Sequence, residues 1–233
     1  MNNLQIATAL AFEPRKAFAE IAEKPRYWFP LLALLIATLV MTVWYLSTVD
    51  VGWLIDQQIR QSARGRNMTE EQMAQSVAFM GSNPGVLIAL GVAQVAIAIP
   101  LILLIPALYN FLAGKIVGFE RSFRQWFAFT SWCALPGALA VIPAALLLVT
   151  AESNQIPQQA LNTLSLNALF FHRAPGDPGF SVLSVFDLFR LATLILCLVG
   201  VKVWSGRTWL FTSLFVGIPW TLIFGVWAFF SFR

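Results

Sequence analysis

The side chains that could carry chemistry are few and widely separated. The single histidine, His172, stands beside Arg173 and Asp177 in a Pro/Gly-rich stretch. No second imidazole or cysteine accompanies it, so a zinc site there would lack ligands. As a general base it has no placed nucleophile. Cys133 and Cys197 lie inside separate apolar runs, where packing is their simplest use. Neither a G-x-S-x-G elbow nor a phosphate-binding glycine loop occurs. No ionisable group falls at the centre of any long apolar run, which removes the relays that ion-coupled transporters place there. The expectation is a non-enzymatic chain with no catalytic residue, no metal and no cofactor.

Other polar and special residues point the same way. Glu70-Glu71 is the kind of pair found in membrane prenyl-protein proteases, but those need an arginine four residues after the second glutamate and a histidine on a later span. Here Gln75 holds that place. Pro100 and Pro106, Pro136 and Pro143, and Pro219 fall within apolar runs. Each removes a backbone hydrogen bond, and in transporters broken helices of this kind can line a site. Proline is nevertheless common in membrane helices generally. Asn110 lies near the end of its run, where ordinary hydrogen bonding accounts for it. A polar cavity reaching mid-membrane near Asn110 and Pro136 would point to transport, and a closed apolar core would not. Cys133 to Gly137 and Ala140 to Ala144 have small-xxx-small spacing, a candidate helix-packing face within the chain or between chains.

The elements that must position these residues follow from composition. Of 233 residues, 58% are hydrophobic and 11% charged, too little charge to cover a water-soluble globule. Runs of about 20 apolar residues cross a bilayer, and five qualify, at 27–49, 85–112, 127–150, 184–204 and 209–230. The second is long enough to require tilt or a kink. A cleaved signal peptide is not expected, because the first run begins near residue 27 and exceeds a signal's apolar core. The runs are apolar all round, which disfavours a β-barrel. The fold class is all-α: a polytopic five-helix bundle, residues 27–233, preceded by an amphipathic segment, 1–26.

Orientation follows from where the basic residues fall. Nine lysines and arginines lie in the N-terminal segment and in the turns after spans two and four, against six spread over much longer segments on the other side. The positive-inside rule places the N-terminus in the cytoplasm and the C-terminus in the periplasm. Arg15, Lys16, Lys115, Arg121, Arg124, Lys202 and Arg207 form a basic cytoplasmic rim, a candidate contact surface that also suits anionic lipid headgroups. Membrane lipids, a second copy or a membrane-protein partner are the expected contacts, and nucleic acid is not.

Residues 12–24 read as a short amphipathic helix opened by Glu13-Pro14, with Phe18, Ile21 and Ala22 on one face, resting on the membrane surface or on a partner. In 50–83, Asp50 caps one surface helix, Arg64 to Asn67 break it, and Thr69 with Gln72 open a second through a capping box. Asn83 before Pro84 is a cap for span two. Leu161, Leu164 and Ala168 suggest a further short helix. Asp187 and Arg190, three apart, can pair at the lip of span four.

Three stretches together resemble the bacterial branch of the YIP1 family of multi-pass membrane proteins: FEPRKAFAEIAEKPRYWFPLLALL at 12–35, YNFLAGKIVGFERSFRQWFAFTSWCALPGALAVIP at 109–143, and FDLFRLATLILCLVGVKVWSGRTWLFTSLFVGIPW at 186–220. The resemblance covers nearly the whole chain and implies a five-helix membrane fold in the bacterial inner membrane, with no established catalytic residues. Eukaryotic relatives are linked to Rab GTPases and carry a D-L-Y-G-P-type motif that this chain lacks, so Rab binding is not carried over. The functional expectation is action through helix packing or partner binding. The alternative is a transporter or permease accessory subunit with a site among spans two, three and five.

Overall fold

The computed structural model describes residues 1–61, 67–81 and 83–233. The expected break at Arg64, Gly65 and Arg66 lies outside the described residues, as do Ser82 and the side chain of Met80. Eleven α-helices are described: α1 (Asn3–Phe12), α2 (Pro14–Glu23), α3 (Trp28–Thr48), α4 (Val51–Gln61), α5 (Glu70–Gly81), α6 (Pro84–Ile116), α7 (Phe123–Ala134), α8 (Val141–Thr150), α9 (Phe180–Val185), α10 (Leu188–Ser205) and α11 (Trp209–Ser231). Among the described residues the only β pairing is an isolated bridge between Ser165 and Asp187. Five helical spans are long and apolar enough to cross a membrane: α3, α6, α7 joined to α8, α10 and α11.

Local sequence explains most boundaries. Ser122 and Gln125 cap α7 reciprocally. Thr69 and Gln72 do the same before α5, at 3.0 and 3.3 Å. Asp50 takes the Trp53 N–H at 3.0 Å, as expected for a cap of α4. Asn83 precedes α6 but its side chain makes no capping bond; Pro84 starts the helix, where its missing N–H costs nothing. Span three is not one α-helix: Leu135–Ala140 is a 3₁₀ segment entered at Pro136. The stretch around Leu161, Leu164 and Ala168 is not one helix either. A 3₁₀ turn (Gln158–Leu161) and a π turn (Asn167–Phe171) flank the Ser165 bridge.

α1 is an element that apolar-run counting passes over. Asn2 and Gln5 form a capping box, and Ile6, Ala9 and Leu10 bury one face. On α2, Ala17, Phe18 and Ile21 are wholly buried, but the surface that covers them is the chain's own bundle. α2 lies against α7 and α10, with the Phe18 ring 5.4 Å from Phe129. Gly200 of α10 makes this approach possible, because a Cβ there would meet the rings of Phe18 and Phe129.

The best-packed region surrounds this junction. Trp126, Phe129 and Trp132 of α7 are fully buried, and Trp204 and Phe215 nearly so. Trp126 lies 5.3 Å from Trp204 and 5.9 Å from Phe215, and Phe129 lies 5.0 Å from Trp204. Tilted and edge-on aromatic pairs add about 0.5–1.5 kcal/mol each beyond burial. Elsewhere the spans expose Leu, Ile and Val all along their length, as lipid-facing helices do.

Backbone carbonyls are met by side chains of neighbouring helices. Pro219 has no N–H to donate to the carbonyl four residues back, that of Phe215. Tyr109 of α6 donates its hydroxyl to that oxygen at 2.9 Å. The Arg26 carbonyl lies just before α3, outside its hydrogen-bond ladder, and the Trp132 indole N–H takes it at 2.6 Å. In the middle of α2 the Trp204 indole also donates to Phe18 O at 2.7 Å, and in its last turn the Gln125 amide donates to Ala22 O at 2.8 Å. Within a bilayer no water can replace the Tyr109 bond, which pairs α6 with α11, and the other three tie the N-terminal segment to α7 and α10.

Candidate functional site

One end of the bundle gathers the N-terminal helices, the turn between α6 and α7 and the turn between α10 and α11. Arg121 donates to Trp204 O at 3.3 Å and lies over the Trp204 ring. Arg207 donates to Val117 O at 2.7 Å and Gly118 O at 3.2 Å, with its guanidinium over Phe211. Lys202 donates to Arg207 O and lies over Trp209. These three cations satisfy carbonyls at the C-terminal ends of α6 and α10 and in the turn after α10, where the helix dipole also favours positive charge. They tie the two turns together. Arg15, Lys16, Lys115 and Arg124 are exposed, with Lys16 paired to Glu13 at 3.3 Å and Lys115 over Phe111.

The opposite end is looser. There α4, α5, α9 and the 151–187 connection gather over the spans, and two clefts open among them. The deeper, of 530 Å³, runs between α3, α6 and α8. Its mouth holds Gln58, Gln158, Asn162 and Asp187; Thr42 and Tyr45 line its wall, and Thr38, Gln94 and Gly137 its deeper part. Thr38 and Gly137 stand near the middle of their spans. The second cleft, of 710 Å³, shares Gln158 and Asn162 with the first and is lined further by Arg60, Ser181, Ser184, Arg190 and Trp227.

Charges at this end fall into two kinds. Arg60 is fully engaged: Nε meets both Asp56 oxygens at 3.0 and 2.8 Å, and its other two nitrogens meet the Glu70 carboxylate at 3.2 and 3.1 Å. These bonds raise its pKa further. The Trp53 N–H and the Gln155 amide hold the Asp50 carboxyl below its ordinary value. Arg190 is different. The expected ion pair with Asp187 does not form, because Asp187 Oδ1 caps α10 through the Arg190 N–H at 2.7 Å and Oδ2 takes the Asn162 amide at 2.9 Å. The Arg190 guanidinium instead lies 5.7 Å over the Phe224 ring.

The candidate packing residues part company. Cys133 is buried in the aromatic core beside Cys197, and Ala144 is buried, while Gly137 and Ala140 are half-buried. Gly137, Ala140 and Ala144 line the deeper cleft. Asn110 is buried and, like Pro136, lines neither cleft. His172 sits at φ 50° in the connecting segment, and no cluster of metal-ligating side chains occurs among the described residues. Sequence reasoning passed over Gln94, a polar residue in mid-run, and the aromatic hydroxyl and indole donors that meet backbone carbonyls. Pro219 was visible, but its partner Tyr109 lies 106 residues from the carbonyl it serves.

No curated protein and no solved structure matches the chain. The family model described as the Yip1 domain matches residues 8–230, which takes in all five spans and most of the helical hairpin that packs beneath them. With five helices long and apolar enough to cross a membrane, the number that resemblance implied, the chain is a multi-pass membrane protein and belongs to the Yip1 family.

Proposed function

We propose that the protein is a non-enzymatic component of a bacterial inner membrane, with its N-terminus and basic end in the cytoplasm, that acts by holding a membrane-protein or lipid partner at that end. The observation that carries this reading is the division of the basic rim. Arg121, Lys202 and Arg207 are used internally, whereas Arg15, Lys16, Lys115 and Arg124 remain exposed around a rigid aromatic core. A fixed scaffold that presents exposed cations suits docking of an acidic segment or anionic headgroups. The test is photocrosslinking in native membranes from positions 15 and 124, with the lipid-facing position 222 as the control. Discrete adducts from the rim alone support docking, and the same pattern from all three positions refutes it.

The deeper cleft favours a second reading, a transporter or accessory subunit, because it carries Gln94 and Thr38 to mid-span. Against passage stands the aromatic core at the other end, where Trp126, Phe129 and Trp132 are wholly buried. A cleft open at one end fits binding better than conduction. Water accessibility of cysteines placed at Thr38 and at Phe215 separates the two: a conduit requires both to react.

A further inference from the structure

We propose that the cleft beside α9 and α10 is a binding site for a phosphate or carboxylate group borne by an amphiphile, with Arg190 as its charged contact. This cleft lies at the end of the bundle opposite the basic rim. Arg190 Nε is buried and has no hydrogen-bond partner, and its guanidinium makes no ion pair among the described residues. The nearest carboxylate, Asp187, has both oxygens committed to the Arg190 N–H and to Asn162. Arg60, the other cation of the cleft, is neutralised by Asp56 and Glu70.

A half-buried guanidinium whose inner nitrogen has no partner and whose nearest carboxylate is committed elsewhere is costly, and near a membrane such a group marks a functional position. A second, independent group borders the same space. Ser184 is 6% exposed, lines the cleft, and its Oγ has no partner. A guanidinium fork and a hydroxyl are the donors that an oxyanion needs. Phe180, Val185 and Trp227 give the cleft an apolar side next to the polar Gln158, Asn162 and Ser181, a division that suits an amphiphile more than a fully hydrated anion. Gly179 sits next to the lining residue Phe180: at φ 80° it lets the loop close on Phe232, whose ring its Cβ would strike, and its N–H meets Ser231 O.

The test uses purified full-length protein in neutral detergent, titrated with phosphatidylglycerol, with zwitterionic phosphatidylcholine and with inorganic phosphate, and read by native mass spectrometry and thermal shift. Phosphatidylglycerol is expected to bind and stabilise the protein. Arg190→Gln should weaken that binding tenfold or more. Ser184→Leu, which loses no hydrogen bond and fills the cleft, should do the same with the charge retained. Arg233→Gln, outside the cleft, should leave binding unchanged. Equal binding of inorganic phosphate, lost in the same two variants, would keep the oxyanion site but overturn the amphiphile as its occupant. Binding of phosphatidylglycerol within twofold of wild type in both cleft variants, or equal binding of phosphatidylcholine, overturns the proposal.

Discussion

Removing the Tyr109 hydroxyl tests whether the carbonyl freed by Pro219 helps pair α6 with α11. Pro219 leaves the Phe215 oxygen without its helical donor, and Tyr109 supplies one at 2.9 Å from α6. Phe215 is 5% exposed, so the oxygen has little access to an alternative. An unsatisfied buried acceptor costs about 1–3 kcal/mol in water-soluble proteins. Here the reference state matters: in a separated α11 the same carbonyl is already unpaired, so Tyr109→Phe removes only the interhelical bond. Such bonds average ~0.6 and reach ~1.7 kcal/mol in a bilayer. The poor alternatives for this oxygen place the expected loss near the top, about 1–1.7 kcal/mol. The ring packing of Tyr109 on Phe215, at 5.9 Å, is retained by Phe. Pro219→Ala restores an N–H four residues on, so Tyr109→Phe in that background should cost about 0.5 kcal/mol or less, a coupling of about 1 kcal/mol. The assay is reversible unfolding in mixed micelles by titrated denaturing detergent, followed by tryptophan fluorescence. If Tyr109→Phe costs the same in the wild type as in the Pro219→Ala background, the carbonyl is not what the hydroxyl serves, and the reasoning fails.

Two further outcomes are expected. Gly200→Val forces a branched side chain onto the rings of Phe18 and Phe129 and should destabilise by about 1–3 kcal/mol through overpacking, whereas Gly217→Val, with nothing within 4 Å of its Cβ, should be near neutral; equal thermal stabilities would show that α2 does not rest on Gly200. The Asp50 carboxyl is held low chiefly by the Trp53 N–H and then by Gln155. Its contribution is therefore present above its ordinary value of 3.8 and is lost as pH falls through the lower folded value, so acid titration of thermal stability should show a loss below that pH that Asp50→Asn abolishes; identical acid profiles for the two proteins would remove Asp50 from the account.

Much of the architecture was legible from one dimension. A bilayer demands that every spanning backbone satisfy itself, so span number and length follow from the lengths of apolar runs. Local bonds were equally readable: Thr69 with Gln72, and Asp50 with Trp53, lie within three residues of each other. The α1 capping box at Asn2 and Gln5 was there to be read as well, but the segment is too short to register as a span. Which helix meets which could not be read in this way. A span that is apolar on every side gives no facing preference, and the bonds that choose its neighbours join Trp204 to Phe18 across 186 residues and Tyr109 to Phe215 across 106.

The same division holds for the candidate sites. Charge counting found the basic rim, because topology leaves its mark on the sequence near span ends. Only the fold showed that Arg121, Lys202 and Arg207 are committed to carbonyls while their neighbours are exposed. Spacing paired Asp187 with Arg190, since helical neighbours three apart can meet. Capping geometry and Asn162, brought in from 25 residues away, took both carboxylate oxygens and left the arginine facing a cleft. The sequence by itself determined the solvent this chain lives in and how often it crosses it. Which polar groups are left wanting a partner was decided by tertiary structure, because a hydrogen bond depends on distances that hydropathy does not encode.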